Sequence, residues 1–210
     1  MSILAEMSEA LQKGRAKIVQ ALVAQSIEEG LPAKQILEEG LLSGMSIIGE
    51  KFKNNEVFVP EVLVSARAMN VGTAMLKPLL VQAGVEPVGK ICIGTVKGDL
   101  HDIGKNLVRL MFEGKGFEVV DLGVDVSPEA FVAAAQEHKV QIVALSALLT
   151  TTMGVMKDVV NAFAEAGLRD QHKIMIGGAP ITQQFCDSIG ADAYTPDAAS
   201  AADMALQMVS

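Results

Sequence analysis

From residue 91 onward, short and almost unbroken apolar runs alternate with helical stretches, and few folds accept that pattern. The runs cover 91–96, 117–122, 141–145 and 173–176, with a weak fifth at 192–194. Helical stretches fill the intervals at 103–113, 128–137, 153–166, 182–188 and 198–208. A strand that is apolar at nearly every position must be covered on both faces, which is the situation inside a parallel sheet. Right-handed crossovers then predict a doubly wound α/β domain of five parallel strands, Rossmann-type and flavodoxin-like. Its ligand chemistry is expected outside the carboxyl ends of those strands.

The front of the chain follows a different period. Apolar residues recur at helical spacing in Ile18, Leu22 and Ile27, and again in Ile36, Leu37, Leu41, Leu42, Met45 and Ile48. Breaks fall at Gly30-Leu31-Pro32, at Lys53-Asn54-Asn55 and before Pro60. Both prolines stand where a helix can begin, since a first turn has no use for their missing N–H. Val62, Leu63, Ala66, Met69, Val71 and Met75 carry the pattern on to about residue 81. Four helices packed as a small bundle are expected. The stretch Val81-Gln82-Ala83-Gly84-Val85-Glu86-Pro87 reads as a linker, dividing a helical domain at 1–86 from an α/β domain at 87–210.

Bulk properties narrow the function classes. The formal net charge is −8, the wrong sign for a protein that holds phosphate backbones, so nucleic acid is not an expected partner. No apolar run approaches the roughly 18–20 residues of a membrane span, and no secretory signal is visible. Cys92 and Cys186 are far apart and form neither a CxxC pair nor a disulfide framework. They read as buried thiols of a protein in the reducing cytoplasm.

The chemistry concentrates in the loop after the first strand, Lys97-Gly98-Asp99-Leu100-His101-Asp102-Ile103-Gly104-Lys105-Asn106. It lies where an α/β domain binds its ligand. One reading makes Asp99 or Asp102 a helix cap and His101 a solvated loop residue. A phosphate loop is disfavoured, because neither GxGxxG nor GxxxxGK[ST] is present. A third reading takes Asp99-x-His101 as a metal ligand with its orienter: one ring nitrogen binds the metal while the other donates to the carboxylate. A lone histidine cannot build a tetrahedral zinc site. His138 and His172 fall at strand starts, the opposite end of the sheet. A metal held by His101 should therefore arrive with its own equatorial ligands, as a corrin ring supplies them.

Asp99-x-His101-x-x-Gly104 resembles the fingerprint of cobalamin-binding domains in which a histidine replaces the cofactor's own benzimidazole base. The longer run Thr95-Val96-Lys97-Gly98-Asp99-Leu100-His101-Asp102-Ile103-Gly104-Lys105-Asn106-Leu107-Val108 is similar to the loop of methionine synthase and of stand-alone corrinoid proteins. The likeness continues in Asp121-Leu122-Gly123, in Ser146-Ala147-Leu148-Leu149-Thr150-Thr151-Thr152 and in Ile176-Gly177-Gly178-Ala179. It implies a base-off cobalamin, cycling through methylcobalamin and a Co(I) corrinoid, with His101 as lower axial ligand. It also implies a relay of Asp99, His101 and Thr152, since the position of Thr152 usually carries a serine that bonds the aspartate. Gly98, Asp99, Leu100, His101, Asp102, Ile103 and Gly104 would meet the cofactor. Ser146, Leu148, Thr150, Gly177, Gly178 and Ala198 would line its nucleotide tail. The small residues Ser146, Ala147, Gly177, Gly178 and Ala179 suit such a slot, although tight helix–sheet packing would also select them.

The helical half resembles the four-helix cap of the same proteins, in Leu37-Glu38-Glu39-Gly40-Leu41, Met45-Ser46-Ile47-Ile48-Gly49-Glu50-Lys51-Phe52 and Phe58-Val59-Pro60-Glu61-Val62-Leu63. The resemblance implies that Phe52 and Val59 shield the upper cobalt face and that Glu39 touches the corrin edge. Phe52 and Phe58 would serve equally as core. The two halves leave no room for a substrate barrel, which implies a methyl carrier, not an enzyme by itself. Its expected partners are a substrate-specific methyltransferase, a methyl-acceptor methyltransferase acting on coenzyme M or tetrahydrofolate, and a reductive activator. The likeness is to corrinoid proteins of methylamine, glycine betaine and methoxylated-compound metabolism. A cobalamin-dependent sensor and regulator is the alternative, but it would need a basic DNA-binding module.

Overall fold

A computed structural model describes residues 2–210. The chain divides into two compact units, one reaching Pro87 and one opening at Val88, with the turn Gly114–Gly116 grouped with the first. Among the described residues, no helix is long and apolar enough to cross a membrane.

The first unit is helical. Helix α1 (Ile3–Gln12) is capped by the Ser2 hydroxyl, which accepts from Ala5 N. Helix α2 (Ala16–Glu28) ends at Gly30, whose φ of 78° allows Leu31 N to reach back to Ser26 O. A third helix runs through α3 (Ala33–Gln35), a π-helical turn at Ile36–Leu42 and α4 (Ser43–Lys53) without leaving helical backbone angles. Helix α5 (Val59–Gln82) begins with Pro60 in its first turn, and Glu61 Oε2 accepts from Phe58 N just ahead of it. Counting the third as continuous, this is the expected set of four. The π turn is a departure from the simple helical reading. It contains Gly40, where a Cβ would lie 2.6 Å from Met7 Sδ of α1. The break between α1 and α2 falls at Gly14, with φ 64°.

The second unit alternates strand and helix throughout: β1 (Lys90–Thr95), α6 (Ile103–Gly114), β2 (Glu118–Asp121), α7 (Pro128–His138), β3 (Ile142–Ser146), α8 (Met153–Glu165), β4 (Lys173–Gly177), α9 (Gln183–Ile189), β5 (Ala193–Tyr194) and α10 (Ala198–Val209). The sheet is parallel in the order β2-β1-β3-β4-β5. Ile91, Cys92, Ile93, Ile142, Val143, Ala144 and Leu145 are buried along the central strands, as strands covered on both faces must be. Helices α7, α8 and α9 share one core through Phe131, Ala135, Met156, Val159, Phe163, Cys186 and Ile189. The link β1→β2 steps one way across the sheet, while β2→β3 and β3→β4 step the other. Right-handed crossovers therefore put α6 on the opposite face from α7 and α8.

That reversal positions the site. The chain leaves β1 toward one edge and β3 toward the other, so the loops after these neighbouring strands diverge and leave a crevice at their carboxyl ends.

Candidate functional site

The loop from β1 turns at once. Asp99 N donates to Val96 O at 3.1 Å, closing a four-residue turn with Gly98 at φ 84° in its third position. A left-handed residue is what a type II turn requires there. The turn delivers Asp99 into the crevice between β1 and β3, fully buried.

A buried carboxylate needs donors, and Asp99 has them on both oxygens. Oδ1 accepts from His101 N at 3.1 Å and faces His101 Nδ1 at 2.7 Å. Oδ2 accepts from Leu148 N at 2.8 Å and Leu149 N at 3.2 Å, and Thr152 Oγ1 lies 2.9 Å away. Burial by itself would raise the carboxyl's pKa. The Leu148 amide, the His101 ring and amide and the Thr152 hydroxyl outweigh it and hold Asp99 well below the usual carboxylate range.

An ionised carboxylate only accepts, so His101 Nδ1 carries the proton that joins them. The neutral ring then keeps its lone pair on Nε2, for which no protein partner exists among the described residues. The anchor is fully buried while the imidazole is 51% exposed. Thr95 Oγ1 fixes the backbone of the same residue by donating to His101 O at 2.8 Å. This is the Asp–His arrangement that the ligand-plus-orienter reading requires. Neither aspartate carboxylate caps a first-turn amide of α6: that of Asp102 accepts instead from Asn106 Nδ2 at 3.1 Å, while its backbone carbonyl accepts from Asn106 N.

The surroundings suit a large ligand with apolar faces. Leu100 and Ile103 are 71% and 78% exposed beside His101, and Val124, Leu148 and Leu149 are also exposed at neighbouring strand ends. A Cβ built on Gly104 or on Gly177 would meet nothing within 4 Å, so nothing inside the fold demands glycine at either place. Gly178 is different. Its φ is 135° and a Cβ there would collide with Ala147 O, so its smallness serves backbone packing. Ser146 is half-buried opposite Gly177, Thr150 is exposed, and Ala198 is buried at the start of α10. No cluster of three or more His, Cys, Asp or Glu that could hold a metal occurs among the described residues. His172 is buried with Nδ1 on Val140 O, and His138 sits in the last turn of α7, both at the far end of the sheet. The donor set is thus one imidazole nitrogen amid open, apolar space, which fits a metal carried in a macrocycle.

Two supporting contacts join residues that the sequence does not pair. Lys105, 2% exposed, pairs with Asp121 at the end of β2, and Asp121 Oδ1 also accepts from Gly123 N. Asp125, in the loop after β2, accepts from Gly98 N at 2.7 Å. In the helical unit Glu39 is exposed within the π turn, while Phe52 and Val59 are half-buried at the end of α4 and the start of α5.

Comparison with known proteins finds B12-binding domain models and corrinoid and cobalamin-binding relatives. Two models described as "B12 binding domain" match residues 89–203 and 3–77. A corrinoid protein of Desulfitobacterium hafniense is 42% identical over 208 residues, covering 98% of this chain and 96% of the relative. Trimethylamine corrinoid protein 1 of Methanosarcina acetivorans is 41% identical over 194 residues, covering 91% and 90%. Among solved structures, a chain of the methanol:cobalamin methyltransferase complex from Methanosarcina barkeri superposes with a TM-score of 0.89 at 29% identity, over 99% of this chain and 79% of that one. A cobalamin-binding protein from Desulfitobacterium hafniense gives 0.81 at 31% identity, over 100% and 99%.

Proposed function

The chain belongs to the corrinoid protein family, and from that membership we propose that it is a methyl carrier, passing one-carbon groups between methyltransferases rather than acting as an enzyme on its own. The observation that carries the reading is His101, whose Nδ1 is committed to a buried carboxylate and whose Nε2 faces open space.

His101 would hold cobalamin through its cobalt in place of the cofactor's own base, and the bound group would supply the metal that takes up and gives away the methyl group. The chain supplies orientation, an apolar rim and a place for one proton. Asp99 fixes the tautomer and the orientation of the ring, leaving Nε2 as the free lone pair. Because its donors keep Asp99 ionised, a proton entering the Asp99–His101–Thr152 relay rests on the ring at Nε2, and there it abolishes the lone pair and the grip. Leu100, Ile103, Leu148 and Leu149 offer exposed apolar surface that a bound corrin would cover, drying the site only then. Gly104 and Gly177 leave room for the ring and the tail, with Ser146, Thr150, Gly178 and Ala198 bordering the latter. For Glu39, Phe52 and Val59 the assignment rests on the family resemblance. Relatives named for trimethylamine and dimethylamine, and a structural neighbour from a methanol system, support a small methylated donor. In this reading a donor-specific methyltransferase loads the carrier in the cytoplasm, a second one acting on coenzyme M or tetrahydrofolate unloads it, and a reductive activator repairs it.

The test reconstitutes the protein with cobalamin and records the electron paramagnetic resonance of its Co(II) form. Wild type should show axial-nitrogen splitting that changes when histidine is labelled with the heavy nitrogen isotope. H101A should bind cobalamin without that splitting. A His101→Ala spectrum identical to wild type would overturn the assignment. Methylation of the reconstituted carrier by a methylamine or methanol methyltransferase should then proceed, and failure with every donor enzyme would refute the carrier role.

A further inference from the structure

We infer that Asp125 is a positioning residue for His101, holding the histidine-bearing turn from the β2 side while Thr152 holds it from the β3 side. The inference rests on the reading of His101 as the cobalt ligand.

Three non-glycine residues among those described have left-handed backbone: Asn55, Asp125 and Lys139. Asn55 and Lys139 each end a helix, where that conformation is ordinary. Asp125 ends none. Its φ of 55° sits in the short connection between β2 and α7, and such unrelieved angles collect at functional sites. What the conformation achieves is a double contact with the His loop: Asp125 N donates to Asp99 O at 3.1 Å, while Asp125 Oδ1 accepts from Gly98 N at 2.7 Å. One residue thereby satisfies a donor on Gly98 and an acceptor on Asp99, neighbouring residues of the turn.

The frame behind Asp125 is stiff. Thr95 N donates to Gly123 O, Val126 N donates to Thr95 O, and Val96 and Val126 form a parallel bridge. Gly123 N is tied in turn to Asp121 Oδ1, the partner of buried Lys105. Sheet order places this frame and the β3–α8 loop on opposite sides of the loop that carries His101. The carboxylate of Asp99 is gripped from one side by Leu148 N, Leu149 N and Thr152, and its peptide carbonyl from the other by Asp125 N. His101 hangs from Asp99, so the presentation of Nε2 depends on both grips.

Three variants separate acceptor from backbone. Asp125→Asn keeps an oxygen acceptor and tolerates left-handed angles, D125G keeps the angles without the acceptor, and D125A loses both. In cofactor-free protein, amide hydrogen exchange at Gly98 and the His101 Nδ1–H resonance are read by nuclear magnetic resonance. In cobalamin-reconstituted protein, the ratio of histidine-on to histidine-off Co(II) is read by paramagnetic resonance. D125N should resemble wild type. D125G and D125A should lose Gly98 protection and lower the on/off ratio about five- to tenfold, the loss of about one hydrogen bond, with the unfolding transition retained. The inference is overturned if D125G and D125A keep the wild-type ratio, or if D125N falls as far as D125A. Wild-type cobalt without an axial histidine would instead sink the ligand reading, and the cofactor-free signals would still report on Asp125.

Discussion

Thr152 offers the sharpest probe of the buried carboxylate. Its hydroxyl oxygen lies 2.9 Å from Asp99 Oδ2 and 2.9 Å from Leu149 O, and its single proton serves one acceptor at a time. Thr152→Val preserves shape and removes that proton. Hydrogen bonds to charged groups contribute about 1.5–3 kcal/mol. Oδ2 keeps the Leu148 and Leu149 amides, so the low end, about 1.5 kcal/mol at neutral pH, is expected. The pH dependence identifies the acceptor. An unfolded aspartate titrates near 3.9, and folded Asp99 lies well below its usual range. As pH falls through about 4 the unfolded chain therefore takes its proton first, and the stability held by the ionised carboxylate drains away. T152V moves the folded value back toward the unfolded one, so it has less to lose. The gap should hold from neutral pH past the unfolded value and close only as pH falls through the range in which the variant's folded Asp99 takes its proton. Urea unfolding followed by tyrosine fluorescence measures the gap. Tyr194 is the only tyrosine, no tryptophan is present, and it lies on β5 of the α/β unit. A gap that never closes, even where the folded carboxyl of the variant takes its proton, would show that the hydroxyl donates to Leu149 O and would refute the relay.

The glycines make a contrasting set. G104A and G177A should fold normally, G104A gaining up to about 1 kcal/mol as a helix residue, while both weaken cobalamin binding in a spectral titration. Gly178→Ala should cost at least about 3 kcal/mol in the same unfolding assay, because backbone and φ both oppose it. Lys105→Met leaves Asp121 without its buried partner and should cost about 1–3 kcal/mol. Burial pushes the Asp121 carboxyl up, but Lys105 and Gly123 N hold it below normal, so that loss should be largest at neutral pH and fade as pH falls through about 4. Burial pushes the Cys92 thiol up to about 12 and also raises that of Cys186. Neither should alkylate at mildly alkaline pH until the protein unfolds, as mass spectrometry of treated samples would show.

Much of the fold is legible in the chain because parallel strands write an unusually plain code. The apolar run at 91–96 becomes β1, and even the weak run at 192–194 yields β5, which gains its short pairing from β4 alone. The π turn is not legible. Over one turn its apolar spacing is hardly different from that of an α-helix, and Gly40 matters only through its contact with Met7 of another helix. Asp99 and His101 announce themselves by residue type and close spacing. Thr152 lies 53 residues from Asp99, and only family resemblance brought the two together. The amides of Leu148 and Leu149 are invisible for a deeper reason: every residue but proline has an N–H, so a backbone donor leaves no letter in the sequence. Asp125 reads as an ordinary turn residue until its angle and its partners are known.

The division of labour across the Asp99 carboxylate has a consequence for how the site works. Oδ1 faces the histidine, while Oδ2 takes the whole β3–α8 loop through two amides and a hydroxyl. That loop also contains Ser146's neighbours and Thr150, the border proposed for a nucleotide tail. A displacement of 148–152 cannot stop at the loop, because it carries away the donors that keep Asp99 ionised and in place. With weaker donors the carboxylate becomes a stronger base toward the ring proton, and the electron density at Nε2 changes with it. On the proposed reading, events in the slot and the strength of the histidine's grip would therefore be linked through one buried side chain, without contact between His101 and the tail. A solvated Asp–His pair would have no such link, since water would replace each lost donor. Burial of Asp99, costly by itself, is what makes the imidazole responsive.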